Sequence, residues 1–208
     1  PEKDLEREAA QRDIKDLAGG ALVSFVGKLG RLSRGAFIWV ITLFFGLDVQ
    51  GLYTLAWGIV STLNKIGRFG MQRGVVRFVV EARTADDREG VERAQSTALG
   101  IGLLLSGIVA GLTILSAEWI ASFYDKPIAA AVRIMALSAP FLTMAFIFVA
   151  STRALRIMRY DVYVVSIAGP LFLLVGGIVV GFLNMGLQGI AWAQLGMAIG
   201  CCLLAGYY

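Results

Sequence analysis

Long apolar stretches cut apart by short charged connections restrict this chain more than any other feature of its sequence. A helix needs about 20 consecutive apolar residues to cross hydrocarbon about 30 Å thick. Four stretches meet that length plainly, at 94–117, 128–152, 162–183 and 187–208. Glu118 to Pro127, Arg153 to Asp161 and Asn184 to Gly186 separate them. With 57% hydrophobic and 16% charged residues and a mean hydropathy of +0.73, the 208 residues carry too little polar surface for a water-soluble domain of that size. Pro127 suits a first helical residue, whereas Pro140 and Pro170 fall inside spans and are expected to kink them, which neighbouring helices tolerate.

The first third admits two readings. Ala36 to Leu63 could form one long helix, but that would hold Asp48 and Gln50 at the bilayer centre and put Lys28, Arg31 and Arg34 on the opposite side from Lys65, Arg68 and Arg73. A hairpin turning over Gly46 to Gly51 removes both objections. The expected fold is therefore all-α: a polytopic membrane bundle of about six transmembrane helices, at about 17–47, 52–80, 94–117, 128–152, 162–183 and 187–208. Residues 1–16 precede it as an amphipathic cytoplasmic lead-in. No signal peptide is read in that segment. Because the chain opens on Pro1 and stops within an apolar stretch at Gly206-Tyr207-Tyr208, it is expected to be part of a longer one.

Orientation follows from the basic residues of the connections. Starting from a cytoplasmic N-terminus, the inner segments hold Lys3, Arg7, Arg12, Lys15, Arg83, Arg88, Arg93, Arg153, Arg156 and Arg159, and the outer segments hold Lys126. That bias predicts a multi-pass protein of the cytoplasmic membrane with its N-terminus inside.

Eight further cations lie within the expected helices: Lys28, Arg31, Arg34, Lys65, Arg68, Arg73, Arg77 and Arg133. At 100° per residue, Lys28, Arg31 and Arg34 share a face about 120° wide, and Asn64, Lys65, Arg68 and Gln72 share one about 100° wide. Two basic stripes thus occupy the two arms of one hairpin. Counted from a turn centred between Gly46 and Gly51, Arg34 and Lys65 are each about fifteen residues away, so they are expected at similar depth, about 22 Å from the outer end. Ionisable groups at such depth normally face a hydrated interior on a substrate or ion path, and a cationic cavity implies an anionic cargo. The competing reading is that these side chains snorkel to the inner headgroups, which is the reading preferred for Arg73 and Arg77 and, at the outer end, for Arg133. Lys28, Arg31, Arg34, Asn64, Lys65 and Arg68 are the candidate binding residues.

None of the fifteen acidic residues falls in mid-span, so the intramembrane carboxylate on which cation-coupled exporters typically hold Na⁺ or a proton is missing here. With no histidine and no buried acid, neither a nucleophile and base, a carboxylate pair nor a metal cluster can be assembled, and neither enzymatic activity nor a cofactor is expected. Cys201 and Cys202 are adjacent within an apolar helix, which suits neither a disulfide nor zinc; they read as packing residues. The Gly107-x-x-x-Gly111 spacing is expected to mark close helix packing rather than a phosphate cradle.

One stretch carries a family likeness. Phe44-Phe-Gly-Leu-Asp-Val-Gln-Gly-Leu-Tyr-Thr-Leu-Ala56, continuing through Ile66-Gly-Arg-Phe-Gly-Met71 to Val76-Arg-Phe-Val-Val-Glu81, resembles the polysaccharide biosynthesis flippases. In that family a first helix ends in a Gly turn, Gly-Leu-Tyr opens the second, a Gly-containing break follows and Arg-Phe closes it. Gly46, Gly51-Leu52-Tyr53, Gly67 to Gly70 and Arg77-Phe78 match those elements. Arg68 departs from the pattern, standing where the family more often has an uncharged or acidic residue.

The resemblance implies one lobe of a two-lobe, alternating-access transporter. It implies a lipid-linked oligosaccharide as partner, whose pyrophosphate would meet the basic stripes, and a second, C-terminal lobe of about six helices. Membrane lipids are further partners, and nucleic acid is not expected. Two alternatives stay open: a multidrug or organic-ion exporter of the same superfamily, and a non-transporting scaffold whose cations grip anionic lipid.

Overall fold

A computed structural model describes residues 2–68, 88–154 and 162–207; the side chains of 2–31, 67, 68, 88, 94, 151–154, 162 and 165 lie outside that description. The described residues form helices and short turns without strands. Helix α1 (Glu2–Arg68) is followed by α2 (Arg88–Leu115), α3 (Ala117–Phe123), α4 (Ala129–Ala136) and α5 (Ser138–Ala154). A π-helical segment (Val162–Ala168) then leads into α6 (Gly169–Phe182), and α7 (Gly186–Tyr207) ends the described chain.

Helix α1 is two helices joined at one residue. Gly46 has φ 81° and ψ 175°, a conformation that costs a residue with a Cβ dearly, while its neighbours on both sides are helical. The ring centroids of Phe37 and Tyr53 lie 5.5 Å apart, whereas sixteen residues of straight helix would separate them by about 24 Å. The chain therefore folds back on itself at Gly46. The turn occupies this residue alone rather than the stretch to Gly51, and the second arm begins at Leu47 instead of Leu52. Leu47 to Gly51 are already helical, and Gly51 needs no special conformation.

Prolines set the other interruptions. Pro140 has no N–H to offer Ala136, and the helix breaks beside that carbonyl at Leu137, dividing α4 from α5 within the span expected at 128–152. Pro170 likewise cannot bond Ser166, and the turns before it widen into the π-helical segment. Pro127 lies just outside its helix, with Ile128 capping α4. Helix α2 starts at Arg88, earlier than the expected 94, and ends where Ser116 donates its hydroxyl to Leu112 O at 2.7 Å.

Helix α7 packs against α4, α5 and α6, while α1 packs against α6 and α2. The seam between α1 and α6 is built on Gly177 and Gly181, one turn apart: a Cβ on Gly177 would meet the Phe37 ring at 2.8 Å, and one on Gly181 would meet Phe44 at 2.7 Å. Small residues at this spacing let helices approach closely without aid from the hydrophobic effect. The Gly107 and Gly111 pair does not act this way among the described residues, contrary to the sequence expectation, since a Cβ on either would meet none of them within 4 Å. The inward face of α2 is Ala98, Gly102, Ser106, Ala110 and Thr113, and both glycines sit one residue, about 100°, off that line.

Large apolar side chains cover the outside, among them Leu104, Ile108, Leu112, Leu171, Val175 and Leu203. A water-soluble surface does not carry such a continuous apolar cover. Leu32–Ile66, Glu89–Leu115, Ala129–Ala150 and Gly186–Tyr207 are long and apolar enough to cross a membrane, and Leu32–Ile66 is the stretch bent at Gly46. The chain is thus an all-α, polytopic membrane bundle.

Candidate functional site

The second arm of α1 turns one face toward α5, α6 and α7, and a cavity of about 390 Å³ opens there. Its polar wall is made by Arg34 from the first arm, by Ser61, Asn64 and Lys65 from the second, and by Gln194 from α7. Leu142, Phe146, Val164, Leu173 and Met197 supply much of the apolar wall. The volume lies at the lower end of the range for small-ligand sites, about 300–1,000 Å³.

Three of the six candidate binding residues, Arg34, Asn64 and Lys65, line this one cavity. The side chains of Lys28, Arg31 and Arg68 lie outside the described residues, as do Arg73 and Arg77. Arg133 is placed elsewhere, where its Nη2 donates to Glu118 Oε1 at 2.7 Å and ties α4 to α3.

The depth relation expected between Arg34 and Lys65 is corrected by the position of the turn. The Arg34 guanidinium carbon lies 5.8 Å from the centroid of the Trp57 ring, close enough for a cation–π contact. Arg34 is therefore level with Trp57, and Lys65 projects from a point two turns, about 12 Å, farther from Gly46. Equal depth would require a turn centred three to four residues later. The two cations are staggered along the cavity, not level across it.

No carboxylate lines the cavity, and no ion pair holds Arg34 or Lys65 among the described residues. Positive charge on this wall is balanced by nothing from the described part of the protein beyond the Trp57 ring. Such a wall suits an anion with oxygen acceptors: the guanidinium fork can give paired hydrogen bonds and the ammonium acts as a point charge.

Sequence reasoning on charged residues missed Trp57, Ser61 and Gln194. Gln194 is fully buried in α7, and its Oε1 accepts a hydrogen bond from the Tyr53 hydroxyl at 3.1 Å. A glutamine in the middle of an otherwise apolar span was itself a signal, because an amide in hydrocarbon is costly unless it is used.

A second, wider cavity of about 1140 Å³ lies between the second arm of α1 and α3, edged by Thr54, Thr62, Ser116, Trp119 and Tyr124. Its threonine and serine hydroxyls are committed to their own helices: Thr54 and Thr62 donate to Gln50 O and Gly58 O, each at 2.9 Å, and Ser116 donates to Leu112 O. It has no cation on its wall.

Residues 49–207 match the family described as polysaccharide biosynthesis protein. No curated protein and no solved structure matches the chain. The matched region runs from the second arm of α1 to the end of α7 and so contains every wall of the cavity except the first arm that brings Arg34. With well over half of its residues matched, the chain belongs to the polysaccharide biosynthesis protein family.

Proposed function

We propose that the protein is a flippase that carries a polyprenyl-pyrophosphate-linked oligosaccharide across the cytoplasmic membrane for surface polysaccharide synthesis. The observation that carries this reading is the pair Arg34 and Lys65 on one cavity wall with no carboxylate facing them among the described residues. Arg34 and Lys65 are both exposed at this cavity; unbalanced cations at a cavity of an apolar bundle suit an anionic cargo, and the diphosphate of a lipid-linked saccharide supplies that charge on a molecule whose tail belongs in hydrocarbon.

In this reading the N-terminus is cytoplasmic, as the basic connections favour, and the Gly46 turn lies toward the outer face. Arg34 binds phosphoryl oxygens through its fork, Asn64 adds hydrogen-bonding capacity, and Lys65 contributes charge nearer the inner face. The work done is translocation by alternating access, with no covalent chemistry and no cofactor. A second lobe of about six helices completes the cavity around the saccharide. A multidrug exporter is less well supported, because no acidic residue lines the described cavities.

The experiment is to replace Arg34 and Lys65 with Gln in a strain that depends on the protein for surface polysaccharide. Polysaccharide should be lost while protein in the membrane stays at its normal level. In parallel, single cysteines at positions 34 and 65, in a background with Cys201 and Cys202 changed to Ala, should react with a water-soluble thiol reagent. Normal polysaccharide in the Gln variants would remove the transport role, and protection of both cysteines would favour a scaffold whose cations hold lipid.

A further inference from the structure

The cavity has one polar group that the cation wall does not explain. Gln194 is fully buried and lines the cavity, yet its Nε2 has no hydrogen-bond partner among the described residues. A buried amide whose donor has no partner carries the desolvation cost of that group, a cost that a ligand acceptor in the cavity would offset. Its orientation is fixed from the other side, because the Tyr53 hydroxyl donates to Oε1 at 3.1 Å. Tyr53 is itself held edge-on by Phe37, with ring centroids 5.5 Å apart at 75°. With Oε1 already accepting from Tyr53, the group left without a partner among the described residues is the N–H donor.

Position decides what those N–H groups meet. Tyr53 lies one turn, about 6 Å, closer to Gly46 than Trp57, the residue on which the Arg34 guanidinium rests. Gln194, bonded to Tyr53, therefore sits about one turn beyond the Arg34 contact, on the side away from Lys65. A group held there is not the anionic head but what is attached next to it.

We propose that Gln194, clamped by Tyr53, is a specificity-determining residue that donates a hydrogen bond to an acceptor oxygen on the first sugar of the cargo, the sugar joined to the diphosphate. This rests on the transport reading above and adds to it which part of the molecule is read and by which atom. A neutral amide suits a hydroxyl or acetamido oxygen, whereas the charged phosphoryl oxygens are matched by Arg34 and Lys65.

The test uses the full-length protein in lipid nanodiscs and two probes, polyprenyl pyrophosphate and the same lipid carrying a single N-acetylhexosamine, with binding measured for each. Gln194→Met, which keeps volume but removes the donor, should weaken the glycosylated probe about tenfold or more and leave the bare lipid unchanged. Tyr53→Phe, which keeps the ring and frees Oε1, should shift the same ratio in the same direction by less, and it carries the test if the Gln194→Met protein does not fold. Arg34→Gln should weaken both probes together. Loss of binding to both probes alike in Gln194→Met, or no change in either, overturns the role of Gln194. If Arg34→Gln changes neither probe while Gln194→Met still selects between them, the cationic-wall reading falls and the sugar contact stands.

Discussion

The hydroxyl of Tyr53 donates to Oε1 of Gln194 at 3.1 Å, joining the second arm of α1 to α7 across 141 positions of sequence with both side chains buried. It is a polar tie between these two helices. Interhelical hydrogen bonds in membranes contribute about 0.6 kcal/mol on average, with a maximum near 1.7. Tyr53→Phe should therefore lower the stability of the detergent-solubilised protein by about 1 kcal/mol, measured by unfolding in a denaturing detergent. A loss several times larger would mean that Tyr53 supports more than this bond.

Gly46 and Gly51 are both helix-breaking residues on paper and differ completely in the fold. Gly46→Ala forces a side chain into positive φ and should cost about 1–2 kcal/mol. Gly51→Ala enters a helical position with nothing within 4 Å of the new methyl group and should be neutral or stabilise by up to about 1 kcal/mol. Comparing the two unfolding midpoints checks the location of the turn. Equal losses would place the turn over the whole Gly46 to Gly51 stretch.

Gly177 and Gly107 form the corresponding pair for helix packing. A methyl group on Gly177 meets the Phe37 ring at 2.8 Å, and Phe37 is fully buried with no room to retreat, so Gly177→Ala should destabilise by about 1–3 kcal/mol. Phe37→Leu should recover part of that loss in the double variant. Gly107→Ala should leave the unfolding midpoint where it is or raise it slightly.

Arg34→Lys keeps the charge and removes the planar fork that lies 5.8 Å from the Trp57 ring centroid. On the transport reading, its apparent KM for lipid-linked saccharide should rise about tenfold in proteoliposomes, at a membrane level equal to the parent protein. A KM matching the parent would show that charge alone is used at this position.

Arg133→Gln breaks an ion pair whose side chains are 44% and 76% exposed, so its effect on stability should stay within about 1 kcal/mol. On the transport reading, transport should be unchanged, which separates an exposed, paired cation from one on the cavity wall. A transport defect in this variant would bring α4 into the mechanism.

The bundle was legible because apolar run length and basic connections are properties of the chain itself, independent of tertiary contact. That the first apolar window folds back followed from refusing Asp48 a place at mid-membrane. The residue at which it folds did not follow, since Gly46 and Gly51 look alike until Phe37 is seen against Tyr53. The same limit produced the error over Gly107 and Gly111: spacing says that two glycines share a face, but not which way that face points. Arg34, Asn64 and Lys65 were noticed because charge and amides are conspicuous among apolar residues. Trp57 and Gln194 are not legible in this way, the first because an aromatic in a membrane helix is ordinary, the second because an amide matters only once its partners are known.

The two-turn stagger between Arg34 and Lys65 has a consequence for how a cargo would be seated. An anion with two phosphoryl groups offers its charge at two points, and cations arranged in series rather than side by side accept such a head lengthwise. The prenyl chain would then trail past Lys65 while the sugar leads toward the hairpin tip, so the molecule would pass through the protein end-on, in single file with its own charges.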